Sequence, residues 1–546
     1  MVAWEWRDLV VSHDELRQAG QDADAAHLES LGYRQRLKRT LGTFDGFSFA
    51  FSYFSVIGNL TIVLGLGLGL GGPAFLWTWP LLVAGMLLIT FNFCELAAAY
   101  PLAGSAYNWS KALARSKVVP WLTGWLVVFA VIVGFASMTP AFALLLPQLW
   151  SGFQIYGNGT GTYDFVTNAV ILGSIFIVFS CIVNSLGVRA VSRINNFVIR
   201  LEIVATLVFI VVFLIKARHG LGVLFETAGH GHGWGYTGAF LAAGVASAYS
   251  LVGMDAASDM AEETKNPRKA APRSMLYAVL MAAVTFFVLA TAALMAVPDP
   301  TSPRYTAGFS PMVIDVFGDI WGKVALCVIA CTLTSSALAC QAFAIRVTFG
   351  MARDNNLPGG AKLATVNERT GTPVRLTCLI GAIAIVILLI NIRQPQIIGA
   401  MASITVALMY LAYLGVLVPL LLARWRGQWP RPGQAKSGYF SLGRWGWPVN
   451  IAAVAFLVAG FLDLAWPRLA VFDAAPPYHW YLQWSGFVFT AIIVVVGLAL
   501  YWFYQRHRTG VVAEHIVTAG QAAVVTSSTQ PGSNSEPATA TAAEPE

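Results

Sequence analysis

Phe47-Ser-Phe-Ala-Phe-Ser-Tyr-Phe-Ser-Val-Ile-Gly-Asn-Leu-Thr61 decides how this chain is read. The segment belongs to an apolar run, 44–70, long enough to cross a bilayer, yet Ser52, Ser55, Gly58, Asn59 and Thr61 interrupt its middle. A second run, 238–259, is interrupted in the same way by Ala246-Ser-Ala-Tyr-Ser-Leu-Val-Gly-Met-Asp255, through Ser250, Gly253 and Asp255. Lipid offers no partner to a backbone amide, so a membrane helix is broken only where the freed groups line a cavity or meet a ligand. The other reading of both segments is that small residues let helices pack closely.

Ten further apolar runs lie around these two: 75–100, 121–146, 165–186, 197–216, 275–297, 322–351, 374–391, 397–423, 447–466 and 481–504. Most match a hydrocarbon core of ~30 Å at about 1.5 Å rise per residue. The chain therefore reads as an all-α polytopic membrane protein with twelve transmembrane helices. The interrupted runs are the first and the sixth, corresponding positions of two five-helix repeats. Paired interruptions at matching places point to a central solute site in an inverted-repeat membrane protein.

Composition agrees, with 57% hydrophobic and only 11% charged residues among 546. A net charge of +7 raises the question of nucleic acid, but the distribution of basic residues answers it. Lys216, Arg218, Arg304, Lys323, Arg393 and Arg468 lie in one set of connections, and about 28 of the 34 Lys and Arg lie in the alternate set. By the positive-inside rule that set is cytoplasmic. Both termini are then expected inside, in a multi-pass protein of the plasma membrane whose partners are a small solute and lipid, not nucleic acid. The oligomeric state is left open. Residues 1–40 read as a cytoplasmic N-terminal segment, 41–505 as the twelve-helix domain, and 506–546, rich in Ala, Thr, Ser, Pro and Glu, as a disordered cytoplasmic tail.

The six cysteines sit in apolar runs and read as packing residues. Trp77, Trp79, Trp121, Trp150, Trp321, Trp466 and Trp480 suit interfacial belts. Gly67-Leu-Gly-Leu-Gly71-Gly72 imitates a dinucleotide loop but lies in a membrane run, His230 and His232 are too sparse for a metal site, and Asn158-Gly-Thr is an outer-loop sequon. No nucleophile–base grouping or P-loop is visible, so no enzyme and no cofactor is expected.

Three stretches resemble the amino acid–polyamine–organocation superfamily. Gly253-Met-Asp-Ala-Ala-Ser-Asp-Met-Ala-Glu-Glu-Thr-Lys-Asn-Pro-Arg-Lys-Ala-Ala-Pro-Arg273 is similar to its sixth-helix exit, and Glu95-Leu-Ala-Ala-Ala-Tyr-Pro-Leu-Ala-Gly-Ser-Ala-Tyr-Asn-Trp109 to its link between helices two and three. Arg346-Val-Thr-Phe-Gly-Met-Ala-Arg-Asp-Asn-Asn-Leu-Pro358 is similar to its eighth-helix exit. The head, from Leu31-Gly-Tyr33 to Arg39, resembles the amino acid/choline, GABA-permease-like branch. The resemblance implies a leucine-transporter-like 5+5 inverted repeat plus two peripheral helices, and secondary active transport of an amino acid or related amine such as GABA by alternating access. Proton-coupled symport is the first expectation; an exchanger, or a non-transporting nutrient sensor of the same fold, is the alternative. A channel is a further rival.

The candidate solute site comprises Ser55, Val56, Ile57, Gly58 and Asn59 at the first interruption and Tyr249, Ser250, Gly253 and Asp255 at the second. Exposed amides and the positive end of a half-helix at residues 55–59 suit a solute carboxylate, and Gly58 leaves room for it; the alternative is a packing kink. By resemblance, Tyr249 stands where relatives place an aromatic gate. Asp255 stands where they carry an acid, to pair with a solute amine or a gating partner. A carboxylate at this depth is a functional candidate by default, its duller reading being a snorkelling acid.

Glu202 stands where proton-coupled relatives place a lysine. A carboxyl group held away from water can exchange a proton in the physiological range and so carry a coupled proton. The alternative is an interfacial pair with Arg200. In sodium-coupled relatives, hydroxyls at the positions of Thr332, Thr334, Ser335 and Ser336 replace the ion's hydration shell, whereas helical Ser and Thr ordinarily bond the carbonyl four residues back. H+ is thus the expected coupling ion, with Na+ second. Glu95 is expected to anchor a gate at the inner face, to Arg189 or Arg346. Asp45 and Asp463 remain unassigned.

Overall fold

The computed structural model describes residues 29, 39, 41–231, 235–394, 397–430, 439–472 and 478–508. The expected head and tail, and His232, lie outside the described residues apart from isolated positions at their edges. Among the described residues the secondary structure is helical, with a single isolated bridge between Leu41 and Thr264. Eleven helical segments there are long and apolar enough to cross a membrane, and the shorter apolar helix Val374–Ile390 takes the ninth place in a set of twelve.

Span one, Thr43–Gly71, and span six, Tyr236–Asp259, are the two interrupted helices. The others are span two (Pro73–Ala99), three (Val118–Leu149), four (Asp164–Ser185), five (Val188–Ile215), seven (Pro267–Ala296), eight (Asp319–Arg353), ten (Ile397–Trp425), eleven (Gly443–Ala465) and twelve (Ser485–Gln505). Spans one and six each open a set of five. Spans eleven and twelve are the most exposed of the long helices, as peripheral helices facing lipid should be. The face at which span one begins carries most of the Lys and Arg and is called the basic face below; the opposite one is the far face.

Several edges differ from the sequence reading for identifiable reasons. Span five begins nine residues earlier than expected, at Val188, because its first turns carry Ser192, Asn195 and Asn196 against the interior. Span eight is 35 residues, about 52 Å at helical rise, and overruns the bilayer at the basic face. Two short amphipathic helices, Ser105–Leu113 on the basic face and Phe309–Phe317 on the far face, lie outside the twelve spans and were too short to register as apolar runs.

Burial corrects two further expectations. Trp79 and Trp121 are not belt residues: both are buried, their indole N–H groups donating to Ala283 O (2.9 Å) and Asn356 O (3.0 Å). Trp77, Trp150, Trp321, Trp466 and Trp480 are exposed, as belts require. Of the six cysteines, Cys94 and Cys340 pack inside, Cys181 is half-buried, and Cys327, Cys331 and Cys378 face outward.

Candidate functional site

Both interruptions are real breaks in the helix. In span one, Thr43–Phe54 ends and Val56–Gly71 begins at Ser55, whose φ of 28° and ψ of 87° lie outside every region that a non-glycine residue adopts easily. In span six, Tyr236–Leu251 gives way to Val252, Gly253 and Met254 before the short turn Ala256–Asp259. Gly253 has φ 96°, and a Cβ there would sit 2.3 Å from the Tyr53 ring. The two breaks therefore lie against each other, joined by contact between Gly253 and Tyr53.

Break one is held by polar groups of its own and of span five. The Glu202 carboxylate accepts from Ser55 Oγ (3.1 Å) and from the Ile57 amide (3.2 Å). Asn59 donates its side-chain amide to Phe54 O, closing the last turn of the lower half-helix. The Gly58 amide has no acceptor among the described residues. Gly58 lacks a side chain for a different reason from the one expected: a Cβ would meet Ser55 Oγ at 2.5 Å and the Leu333 backbone at 3.3 Å, so glycine admits span eight. Glu202 itself is buried, whereas Arg200 is exposed and stacks over Phe44 at 5.4 Å; the interfacial Arg200–Glu202 pair does not form.

Around break two, Tyr249 is buried with its hydroxyl 2.7 Å from Ser137 Oγ of span three. Ser250 is buried and bonds back to Ala246 O at 3.4 Å. Asp255 accepts from the Tyr413 hydroxyl of span ten (2.7 Å) and from Ser105 Oγ (3.5 Å), so its carboxylate turns toward the basic-face link between spans two and three.

The hydroxyls of span eight divide. Thr332 and Thr334 donate to carbonyls of their own helix, Ile329 O (2.9 Å) and Ala330 O (2.7 Å), and Thr334 is half-exposed. Ser335 donates to Asn195 Oδ1 (2.6 Å) and lies 3.0 Å from Ser52 Oγ; Ser336 donates to Tyr53 O (3.3 Å). Among the described residues no group of three His, Cys, Asp or Glu is placed to hold a metal ion.

Glu95 is buried, but its expected partners are wrong. Arg189 is exposed, and Arg346 pairs with Glu263. Glu95 instead accepts from Arg424 of span ten, Trp429 Nε1 (3.0 Å), Ser441 Oγ (3.1 Å) and the Leu442 amide (3.1 Å). It ties span two to the link between spans ten and eleven, away from the breaks. Asp45 and Asp463 also acquire partners: Asp45 accepts from Ser192 Oγ (2.6 Å), Asn196 Nδ2 (2.7 Å) and the Gly42 amide (2.6 Å), and Asp463 pairs with Arg468.

A closed polar lock at the basic face was missed at the sequence level. Asp259 accepts from the Gly104 amide (2.8 Å), the Ser105 amide (2.7 Å) and Ser105 Oγ (3.0 Å). Glu262 accepts from the Ala103 amide (3.0 Å), and both its oxygens from Arg353 Nη1 (2.9 Å). Glu263 accepts from Arg346 Nε at 3.0 Å. The signal was available: three acids within five residues of a span exit, opposite two arginines seven apart on one helix face. On the far side, a recess of about 220 Å³ lies beside span one, lined by Ile62, Leu66, Leu144, Thr306, Ile398 and Val471 among others.

Outside this site, Asp299 and Tyr305 lie in the far-face loop. Hydrogen bonds from the Thr301 hydroxyl and amide hold the Asp299 carboxyl below its ordinary range, and burial pushes the Tyr305 hydroxyl up to about 12.

Comparison with known proteins agrees with this architecture. The family model for amino acid permeases matches residues 41–498. An uncharacterised amino-acid permease of Schizosaccharomyces pombe is 26% identical over 494 residues, covering 88% of this chain and 85% of its own length. Amino-acid permease BAT1 of Arabidopsis thaliana is 26% identical, with 80% and 87% covered, and amino-acid permease 2 of Neurospora crassa is 26% identical, with 79% of each covered. A broken pair of helices, a twelve-span bundle and a family match across most of the chain lead to one conclusion: the chain belongs to the amino acid permease family, whose members are membrane transporters.

Proposed function

We propose that the chain carries an amino acid, or a related amine such as GABA, by alternating access, and that a proton on Glu202 moves with it. The observation that carries this reading is the Glu202 carboxylate resting on Ser55 and the Ile57 amide at break one. A half-helix N-terminus attracts one negative charge, and a second carboxylate brought to the same amides is repelled by the first. A solute carboxylate can therefore join the site only when Glu202 is neutral. Proton and solute then enter together, and by linkage each strengthens binding of the other.

The remaining solute contacts are assigned to the Gly58 amide and the freed backbone of residues 252–254, with Tyr249 covering the site. Asp255 is assigned to gating rather than to the solute amine, since Tyr413 and Ser105 already occupy it. The lock at the basic face and the far-side recess support a state that loads from the far side and releases after the lock opens. Na+ fits less well, because Ser335 is engaged by Asn195 and Ser52, and Thr334 by its own helix. The basic face is taken as cytoplasmic, in the plasma membrane.

The test has two steps. A thermal-shift screen of purified protein against amino acids, GABA, choline and polyamines identifies a binder, because a ligand of the folded form raises the melting temperature. Uptake of that compound into proteoliposomes, with an imposed pH gradient, should then be concentrative in wild type and lose its pH dependence in Glu202→Gln. Concentrative uptake with unchanged pH dependence in Glu202→Gln contradicts the coupling role. Equal exchange without net accumulation in wild type replaces symport by exchange.

A further inference from the structure

The geometry points to a hydrated seam between the lower half of span one and the start of span five, linking Glu202 to the basic face with Asp45 at its mouth. Asp45, Ser48, Ser52 and Ser55 recur at helical spacing on one face of Thr43–Phe54 and its break. Three of the four turn that face toward spans five and eight: Asp45 bonds Ser192 and Asn196, Ser52 meets Ser335, and Ser55 bonds Glu202. Ser48 lies between them by spacing. Span five answers with Ser192, Asn195, Asn196 and Glu202.

These groups do not satisfy one another. Ser48 Oγ, Asn195 Nδ2, Asn196 Oδ1 and Glu202 Oε2 are all buried without a hydrogen-bond partner. A buried polar atom left alone is costly, and such atoms in native proteins are ordinarily bonded to ordered water. Unpaired groups are found elsewhere in this molecule, but here donors and acceptors line one stripe. Ten residues separate Asp45 from Ser55, about 15 Å at helical rise. Water held by the orphaned groups would bridge that distance, with the Asn195–Ser335–Ser52 chain fixing its flank.

The chemistry at the two ends suits proton movement. Glu202 lies at the inner end, and among the described residues no cation pairs with it. Asp45 at the outer end accepts from the Gly42 amide, Ser192 and Asn196, and Arg200 lies over Phe44 beside it. Carboxyl groups joined by water form proton relays in membrane proteins. The use of the seam as a proton route rests on Glu202 as the coupling residue; its hydration does not.

The two claims are tested separately on the full chain in lipid nanodiscs, with the six native cysteines replaced. Ag+, small enough to follow a file of water, is added to Ser48→Cys and Asn195→Cys, and to Ala50→Cys on the opposite side of the same helix; thiols left unblocked are alkylated after denaturation and counted by mass spectrometry. Ag+ should block the two seam positions at least ten times faster than Ala50→Cys. Equal rates, or no reaction in the seam, overturn the hydrated seam. Ser48→Cys is nearly isosteric, so it decides the matter if Asn195→Cys does not fold. For the route, infrared spectroscopy follows hydrogen–deuterium exchange of the Glu202 carboxyl band, assigned by its loss in Glu202→Gln. Exchange should slow at least tenfold in Ser48→Val; unchanged exchange overturns the route. Absence of a protonated Glu202 band removes the coupling role and the route with it, while the Ag+ contrast still decides hydration.

Discussion

Replacing Arg353 by Met should open the basic face. Arg353 and Glu262 are both almost fully buried, at 1% and 2% exposure, and are bonded at 2.9 Å through Nη1 to both carboxylate oxygens. Removing the guanidinium takes the counter-charge away from a buried carboxylate, at a penalty of about 3–5 kcal/mol. If that pair exists only while the basic face is shut, the whole penalty falls on the closed state. At about 1.4 kcal/mol per factor of ten, the equilibrium moves by roughly two to three and a half powers of ten toward opening. The assay is the labelling rate of Ala257→Cys, which is buried in the short turn between Asp255 and Asp259, by a polar maleimide in nanodiscs. Arg353→Met should raise that rate at least a hundredfold. Arg353→Met combined with Glu262→Leu should return it to within about tenfold of the parent, because an apolar pair strands no charge. Labelling of Arg353→Met at the parent rate would refute the reasoning, since it would mean that the pair survives opening or contributes nothing to closure.

Other outcomes follow from single contacts. Gly253→Ala places a methyl group 2.3 Å from the Tyr53 ring at a φ that L residues rarely adopt, so transport should fall more than tenfold, measured as initial uptake rate at equal protein level. Glu95→Gln strands Arg424 in a buried site, with a stability loss of about 3–5 kcal/mol; the melting temperature should drop by several degrees while the apparent affinity for solute stays within twofold. Replacing Na+ by K+ should leave uptake within twofold, because the hydroxyls of Thr332, Thr334 and Ser335 are already bonded within the protein.

The bundle was legible because lipid imposes a long apolar run on every crossing helix, and the positions of the two breaks were legible because Ser, Gly and Asn are conspicuous inside such runs. Glu202 was singled out by resemblance, as the position where relatives place a lysine, and the structure brings it to break one. Its partner could not be read, since nothing in Arg200–Glu202 spacing says which side of the helix faces inward until span one is packed against it. Glu95 illustrates the same limit: a buried acid requires a cation, but Arg424 lies more than three hundred residues away in the chain and only tertiary packing selects it over Arg346. Gly58 was read as leaving room for a solute carboxylate, yet the backbone that comes close to it is that of Leu333. The lock residues Asp259, Glu262 and Glu263 were overlooked because charges at a span exit ordinarily meet solvent; here residues 103–105 of the link between spans two and three and the overrun of span eight cover them.

The most direct measurement is an experimental structure of the wild-type protein with the amino acid that gives the largest melting shift. The solute should lie between the two breaks, its carboxylate at the amides of residues 56–58 beside Glu202, its amine at the open carbonyls of residues 252–254. Density for the solute elsewhere, or continuous helices through Ser55 and Gly253, would contradict that arrangement.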